Sequence, residues 1–526
     1  MRALNSPLWL FAAVAALITL NLNGFLLFDH DEGAFSEATR GMFERGDFIT
    51  TWLNDRVRFD KPILIYWLQA ASVWAFGTEI WAFRLPSALA GILWVFAIYR
   101  FSQKQIDQQT AVAAAMMAAT ALGINMISHV ATADALLNML LATTLLLMYV
   151  WSKAPGHLLL FAIYALMGLG TLTKGPVAFV IPFLAGGLFF LTNGQIRDFL
   201  KAIFYVPGWI VFLAIAAPWY VIEYLRHGQD FIDGFFLKHN VNRFNNAMEG
   251  HDGGFLFYPL VLPFLLAPFG GLLIRVLPTI RTALAGGDPL NRFLWIWFLV
   301  VLVLFSLAST KLPHYILYGV TPLVILMARY RYMLTSRWLA AAFPVILFGL
   351  LTAFPLLIPY VEATLTNPIE IATAQRAHTY FDAAFTISVA IASLVAIGII
   401  FWRRISPWFA LVVTGVIQSL VVWFLFVPTY SDTQQLPVYE AAMFARTLDE
   451  PVITQSVDLP SFNVYLDKVT ERRALEAGEV GFAREDRVDS VGQFDTLFKS
   501  GPIMIIRKTA DEPAQETSGE ALNDKD

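Results

Sequence analysis

Residues 7–32 read PLWLFAAVAALITLNLNGFLLFDHDE, an uncharged run over residues 7–28 that ends abruptly in Asp29-His30-Asp31-Glu32. A hydrocarbon core about 30 Å thick is crossed by about 20 apolar residues in a helix, so residues 7–28 suffice for one crossing and the acids mark where it leaves the membrane. The run is too long for the apolar core of a signal peptide, and no small-residue cleavage site follows it cleanly. It is therefore read as a retained helix.

The same pattern recurs along the chain as far as residue 427. Thirteen spans are expected, near 7–28, 83–100, 108–127, 135–152, 157–173, 176–192, 202–222, 255–275, 292–308, 314–333, 338–359, 381–402 and 407–427. Composition agrees: of 526 residues, 57% are apolar or aromatic and only 14% charged, against roughly 45–50% and 25% in soluble domains. A polytopic α-helical membrane protein follows, and a soluble enzyme or a nucleic-acid binder is excluded. The absence of cysteine removes disulfides, thiolate nucleophiles and Cys-ligated metals. A net charge of −4 names no partner.

The loops between these spans form two alternating sets. The set that starts with the N-terminus carries 14 Lys and Arg against 3 Asp, which predicts that it is cytoplasmic. An odd number of crossings then puts the two termini on opposite faces, with the tail outside. Residues 29–82 and 223–254 are long outer loops, and Ile63–Phe76 within the first suits a helix lying on the membrane surface. From residue 428 the composition changes to 19 acids and 10 bases. The β-like runs 451–456 and 502–507 predict a small α/β domain over 428–510, and 511–526 is too polar to pack. The membrane-spanning unit is then 1–427, and its two long outer loops, 29–82 and 223–254, are the candidate functional region, since long ordered loops in a compact protein are usually functional. No internal repeat is found, which weighs against inverted-repeat transporters.

Charge close to hydrocarbon is costly and tends to mark function. The first cluster, Asp29-His30-Asp31-Glu32 with Glu37 and Arg40, offers acids for general base work, for a divalent cation or for holding a cation; an ordinary solvated loop start reads equally well. In Phe59-Asp60-Lys61-Pro62, Lys61 suits a phosphate or a headgroup-seeking lysine. In 223–252, His239 and Arg243 share a helix face if that stretch is helical and could present two donors to one anion, with a solvated loop as the alternative. Short outer turns carry Asp134, Lys174 and Lys311, the lysines lying on the face with fewer cations. Together with Lys61 and Arg243 they would suit a phosphate whose lipid tail lies in the bilayer. Walker, GxGxxG, HExxH and GxSxG motifs are absent, so ATP-driven transport and dinucleotide chemistry have no support.

In order along the chain, Asp31-Glu32, Gly46-Asp47-Phe48, Phe59-Asp60-Lys61-Pro62-Ile63-Leu64 with Tyr66-Trp67, and Arg84-Leu85-Pro86-Ser87 resemble the integral-membrane GT-C glycosyltransferases. The nearest branch contains bacterial lipid A aminoarabinose transferases and protein O-mannosyltransferases. The resemblance continues through Leu172-Thr173-Lys174-Gly175-Pro176, His239-Asn240-Val241-Asn242-Arg243-Phe244 with His251, and Lys311-Leu312-Pro313-His314-Tyr315-Ile316-Leu317, covering roughly residues 20–330.

It implies transfer of a sugar from a polyprenyl (undecaprenyl) monophosphate carrier to a lipid or glycan acceptor outside the cytoplasm, in a bacterial inner membrane, without nucleotide or nucleic acid. Asp31, with Glu32 beside it, would be the catalytic acid of the first outer loop. Lys61, Arg243, Lys311, Tyr315 and Lys174 would line the carrier-phosphate site. Asp60 and His239 would hold a divalent metal, if one is used, while Asp134 and His251 would stand nearby. Ala34 and Phe35 occupy positions where lipid A aminoarabinose transferases carry Arg-Tyr, which leaves aminoarabinose as donor and lipid A as acceptor open. The alternative is a multi-span transporter or flippase; transport should place charges near the membrane midplane, whereas these gather at one face.

Overall fold

In lipid, backbone N–H and C=O groups must be satisfied within the segment, so apolar runs of this composition become helices. The computed structural model describes residues 7–242 and 253–509, and it is mostly helical. Among the described residues, eight helices are long and apolar enough to cross a membrane: Ile80–Gln105, Asp134–Lys153, His157–Lys174, Val206–His227, Pro289–Leu307, Arg337–Glu362, Ala383–Phe401 and Pro407–Gln434. A ninth is possible if Gln108–Thr120 and Leu122–His129, bent by 59°, form one span.

The other four expected crossings are covered by shorter helices. The first is Pro7–Ile18, after which Asn21 takes a left-handed φ of 53°. Val177–Thr192 has 16 residues. The window 255–275 divides into Phe257–Leu265 and Gly270–Val276, and 314–333 divides into a 3₁₀ turn Pro313–Gly319 followed by Val320–Arg329. The breaks fall at Asn, Gly and Pro, residues that hydropathy alone does not penalise within a window but that interrupt the i to i−4 ladder.

The first outer loop is ordered. Glu32–Arg45 is a helix closed by Gly46 in the left-handed region at φ 67°, the conformation that favours glycine at a helix end. A hairpin of Trp52–Leu53 with Arg56–Val57 follows, then the helix Leu64–Phe76 in the place expected for a surface helix. After Val206–His227 the chain continues through Gln229–Phe231 into a π-helical stretch, Ile232–Asn242.

Four strands lie beyond the last long helix, in the order Val452–Thr454, Val480–Arg484, Ile503–Lys508, Phe494–Ser500. The first pair is parallel and the other two are antiparallel. Side chains alternate as a strand demands. Ile453, Ala483, Met504 and Ile506 face a small core of their own, whereas Val452, Phe482, Ile503 and Ile505 pack into a cluster that also contains Leu27, Val73, Phe83 and Ala131. The sheet is thus seated on the start of the first outer loop and on the ends of the helices beneath it. Polar staples reinforce this contact: the Leu27 N–H donates to the Tyr465 hydroxyl at 2.6 Å, and Asn463 Nδ2 donates to Asn54 Oδ1 at 2.7 Å.

One buried ion pair ties the first loop to the helices. Glu32 and Arg84 are 1% and 0% exposed, and Arg84 Nε and Nη2 donate to the two Glu32 oxygens at 2.7 and 2.8 Å. The guanidinium also donates to the carbonyls of Leu22, Phe25 and Leu26, while Glu32 accepts from the N–H groups of Phe28 and Ala131. Removing one partner of such a pair leaves a buried charge uncompensated, at a cost of about 3–5 kcal/mol. Arg84→Met is therefore expected to lower the thermal unfolding midpoint sharply in detergent; a midpoint equal to wild type contradicts this reading.

Candidate active site

Asp31 immediately precedes the Glu32–Arg45 helix and makes no side-chain cap to it. It is exposed, and its charge reaches both Arg58 and His314. Its two acidic neighbours differ from it. The Asp29 carboxylate accepts from the Ser461 N–H at 2.8 Å and the Ser461 hydroxyl at 2.5 Å, and burial pushes it up to about 6 against the pull of those bonds. Glu32, expected as a catalytic partner, is instead structural: both oxygens are held by Arg84 and backbone N–H groups. Glu37 and Arg40 form a bidentate pair at 2.8 and 2.9 Å, with burial raising Glu37 to about 7. Of the first cluster's carboxylates, Asp31 is the one exposed and placed for chemistry.

The second cluster meets it. Asp60 Oδ2 accepts from Arg58 Nη2 at 2.8 Å, and Asp60 Oδ1 accepts from Lys61 Nζ at 2.7 Å. The charge of Lys61 in turn reaches Asp134 and His314. Asp134 opens the Asp134–Lys153 helix, where the N-terminal dipole favours an anion. Its Oδ1 lies 2.5 Å from Lys174 Nζ and 3.7 Å from His314 Nε2. The Lys174 ammonium also lies 5.5 and 5.9 Å from the ring centroids of Tyr315 and Tyr318, within range of cation–π attraction. Residues from five separate segments, Asp31, Asp60 and Lys61, Asp134, Lys174, and His314 with Tyr315, therefore form one connected electrostatic site.

Lys311 does not join it as expected. Its ammonium donates to the carbonyls of Ser306 at 2.9 Å, Phe305 at 3.4 Å and Ala308, so all three N–H donors close the C-terminal end of Pro289–Leu307, where unpaired carbonyls carry negative charge. A lone lysine after a helix reads the same from sequence whichever way it turns. Arg243 and His251 lie outside the described residues, as does the side chain of His239.

Two groups at the site were not singled out by sequence, Arg58 and Tyr318, and Tyr66 was named only as part of the motif that follows Asp60. Arg58 resembles an ordinary loop cation, and only its pairing with Asp60 shows its place. The Gly46-Asp47-Phe48 motif proves structural. Asp47 Oδ1 accepts from the N–H groups of Ile49 and Thr50 and from Arg226, tying the first loop to the end of Val206–His227. Among the described residues no three His, Asp or Glu side chains are grouped to hold a metal ion, and both Asp60 oxygens already accept from cations.

Residues 60–222 match the family model described as dolichyl-phosphate-mannose-protein mannosyltransferase. The sequence is 28% identical over 316 residues to the undecaprenyl phosphate-alpha-4-amino-4-deoxy-L-arabinose arabinosyl transferase of Yersinia pestis (strain Pestoides F), covering 59% of this chain and 56% of that protein. The backbone superposes on the crystal structure of ArnT from Cupriavidus metallidurans bound to undecaprenyl phosphate, with a TM-score of 0.77 over 95% of this chain and 97% of that one, at 19% identity. Over these stretches the chain is similar to glycosyltransferases of the GT-C type, the aminoarabinose transferases and protein mannosyltransferases among them. An uncharacterized protein of Aquifex aeolicus (strain VF5) is 29% identical over 61% of this chain and 71% of its own length. The chain thus spans little more than half the length of the Yersinia transferase, and at 19% identity the ArnT superposition concerns the GT-C fold alone.

If Lys311 is a helix-end clamp, Lys311→Met should lower the unfolding midpoint by an amount equivalent to about 1–3 kcal/mol. It should leave the dissociation constant for undecaprenyl phosphate within about twofold of wild type, a difference below 1 kcal/mol. A large loss of carrier affinity with unchanged stability would return Lys311 to the phosphate site.

Proposed function

We propose that the protein transfers a sugar from an undecaprenyl monophosphate carrier to an extracytoplasmic acceptor by a single inverting displacement. The observation that carries this reading is Asp31: an exposed carboxylate, uncommitted to the helix it precedes, beside cations that are already fixed in place. In the proposed reaction Asp31 takes the proton of the acceptor hydroxyl as its oxygen bonds to the anomeric carbon. The bond from that carbon to the phosphate oxygen breaks, and the carrier phosphate leaves with the electron pair. Lys61 and Lys174, each held on a carboxylate, would meet the negative charge that develops. Cations positioned in advance need no reorganisation when the charge forms. Arg243 and Tyr315 would complete the phosphate site. No step is routed through a metal.

The acceptor proposed is lipid A, lipopolysaccharide or another envelope glycan. A groove of about 510 Å³ supports a lipid-bearing acceptor. Its walls include Leu357, Ile358, Val361, Ile369 and Ala374, and one end meets Asp29 and His30, directly before Asp31. The reading places the protein in a bacterial inner membrane, with thirteen crossings, a cytoplasmic N-terminus, and residues 428–510 as a periplasmic domain. Concentration of the charged groups at one end of the helices favours this over transport, which needs functional charge near the midplane.

Mass spectrometry of glycolipids from a strain lacking the protein tests the proposal. Loss of one sugar mass from an outer glycolipid, accumulation of the undecaprenyl-phosphate sugar, and rescue by wild type but not by Asp31→Asn are expected. Rescue by Asp31→Asn would remove the base assignment, and an unaltered pool in the deletion strain would overturn the transfer itself.

A further inference from the structure

Two buried polar atoms at the site have no hydrogen-bond partner among the described residues, and they neighbour each other. One is Arg58 Nη1 and the other is the Tyr66 hydroxyl. Each is built against the same ring: Tyr66 stacks on Phe35 with centroids 5.3 Å apart and planes 20° from parallel, and the Arg58 guanidinium lies 5.3 Å from the Phe35 centroid. The charge of Arg58 acts on Tyr66 and is itself acted on by Asp60 and Asp31. Donors left buried and unsatisfied are costly, a charged one most of all, so a pair of them points to an oxygen acceptor that is supplied from outside.

Phe35 belongs to the helix Glu32–Arg45. In this chain a cation reaches the same ring from a different segment, through Arg58. A guanidinium keeps its charge at any physiological pH and offers planar donors suited to a carboxylate or to paired hydroxyls. The same group repels an ammonium. Asp60 neutralises part of the charge by accepting from Nη2, yet Nη1 has no hydrogen-bond partner among the described residues.

Resting on the transfer reading above, we propose that Arg58 and Tyr66 form the donor-sugar subsite and select a sugar that presents oxygen, as hydroxyl or carboxylate, where an aminosugar presents an ammonium. Arg58 is then a specificity-determining residue, with Phe35 as the platform that sets its height over the site. Discrimination arises because an amino donor places like charges together and leaves the buried donors unpaired, whereas an oxygen-bearing donor satisfies both.

The test is a binding measurement on the purified full chain in lipid nanodiscs. Four ligands are compared: free undecaprenyl phosphate, and the same carrier bearing 4-amino-4-deoxyarabinose, arabinose or a hexuronate. Wild type is expected to bind the arabinose and hexuronate donors about tenfold or more tightly than the amino donor, the range set by one charge-assisted hydrogen bond. Arg58→Gln should abolish that ranking while altering affinity for free undecaprenyl phosphate by less than about twofold. Tyr66→Phe keeps the stacked ring, and should weaken the arabinose donor several-fold without lowering the unfolding midpoint. Equal or tighter binding of the amino donor by wild type overturns the proposal. So does a loss of free-carrier affinity in Arg58→Gln as large as the loss for loaded carriers, which would make Arg58 a phosphate or structural group. Failure of wild type to bind any of the four overturns the transfer reading and this inference together; binding of free carrier with no ranking among sugars overturns this inference alone.

Discussion

The buried pair of Glu32 and Arg84 is the constraint from which the site is built. Its charges are removed from water, a state tolerated only when each is paired and hydrogen-bonded. Here the guanidinium gathers three carbonyls from the chain leaving the first helix, and the carboxylate takes backbone N–H groups from Phe28 and Ala131. Three segments distant in sequence are thereby fixed to one another: residues 22–32 that lead from the first span into the Glu32–Arg45 helix, the start of Ile80–Gln105, and the turn before Asp134. Asp31 and Asp134 are each within three residues of this junction. The exposure of Asp31 follows from the burial of the residue after it.

Charge at the site is organised in pairs. Lys61 lies on Asp60, and Lys174 lies on Asp134 while facing two tyrosine rings. Pairing keeps long, entropically costly side chains in one position and limits the repulsion among neighbouring cations. In the proposed transfer an arriving phosphate would meet a field already assembled, which is how fixed dipoles and charges lower a barrier. The four-stranded sheet contributes from the other side. By holding Asp29 through Ser461, it fixes the residue two before Asp31, and Asp29 is itself in the wall of the apolar groove.

Much of this was legible in the sequence. The apolar windows located the long helices, because a run such as 337–362 has no other stable arrangement in lipid. The windows at 255–275 and 314–333 were harder: the first breaks over residues 266–269, where Pro268 sits, and the second opens in the 3₁₀ turn Pro313–Gly319 before Val320–Arg329 begins, and hydropathy is blind to backbone hydrogen bonding. The ordered motifs brought Asp31, Asp60, Lys61, Asp134 and Lys174 to notice, and these do converge. What sequence could not show is the direction of a side chain. Glu32 and Lys311 have the composition of site residues and turn instead toward a buried arginine and a helix end. Arg58 has the composition of a solvated loop residue and stands over Phe35.

The central claim is that Asp31 acts on the chemical step and not on assembly or carrier binding. A single-turnover assay measures it directly: purified protein in proteoliposomes, saturated with an undecaprenyl-phosphate sugar and an acceptor glycolipid, followed by the rate of sugar appearance on the acceptor. The account predicts that Asp31→Asn lowers that rate by about 10²–10⁴-fold, the range associated with loss of a positioned general base, with carrier affinity and unfolding midpoint close to wild type. A variant that turns over at the wild-type rate, or one that fails only because it no longer binds the carrier, would contradict it.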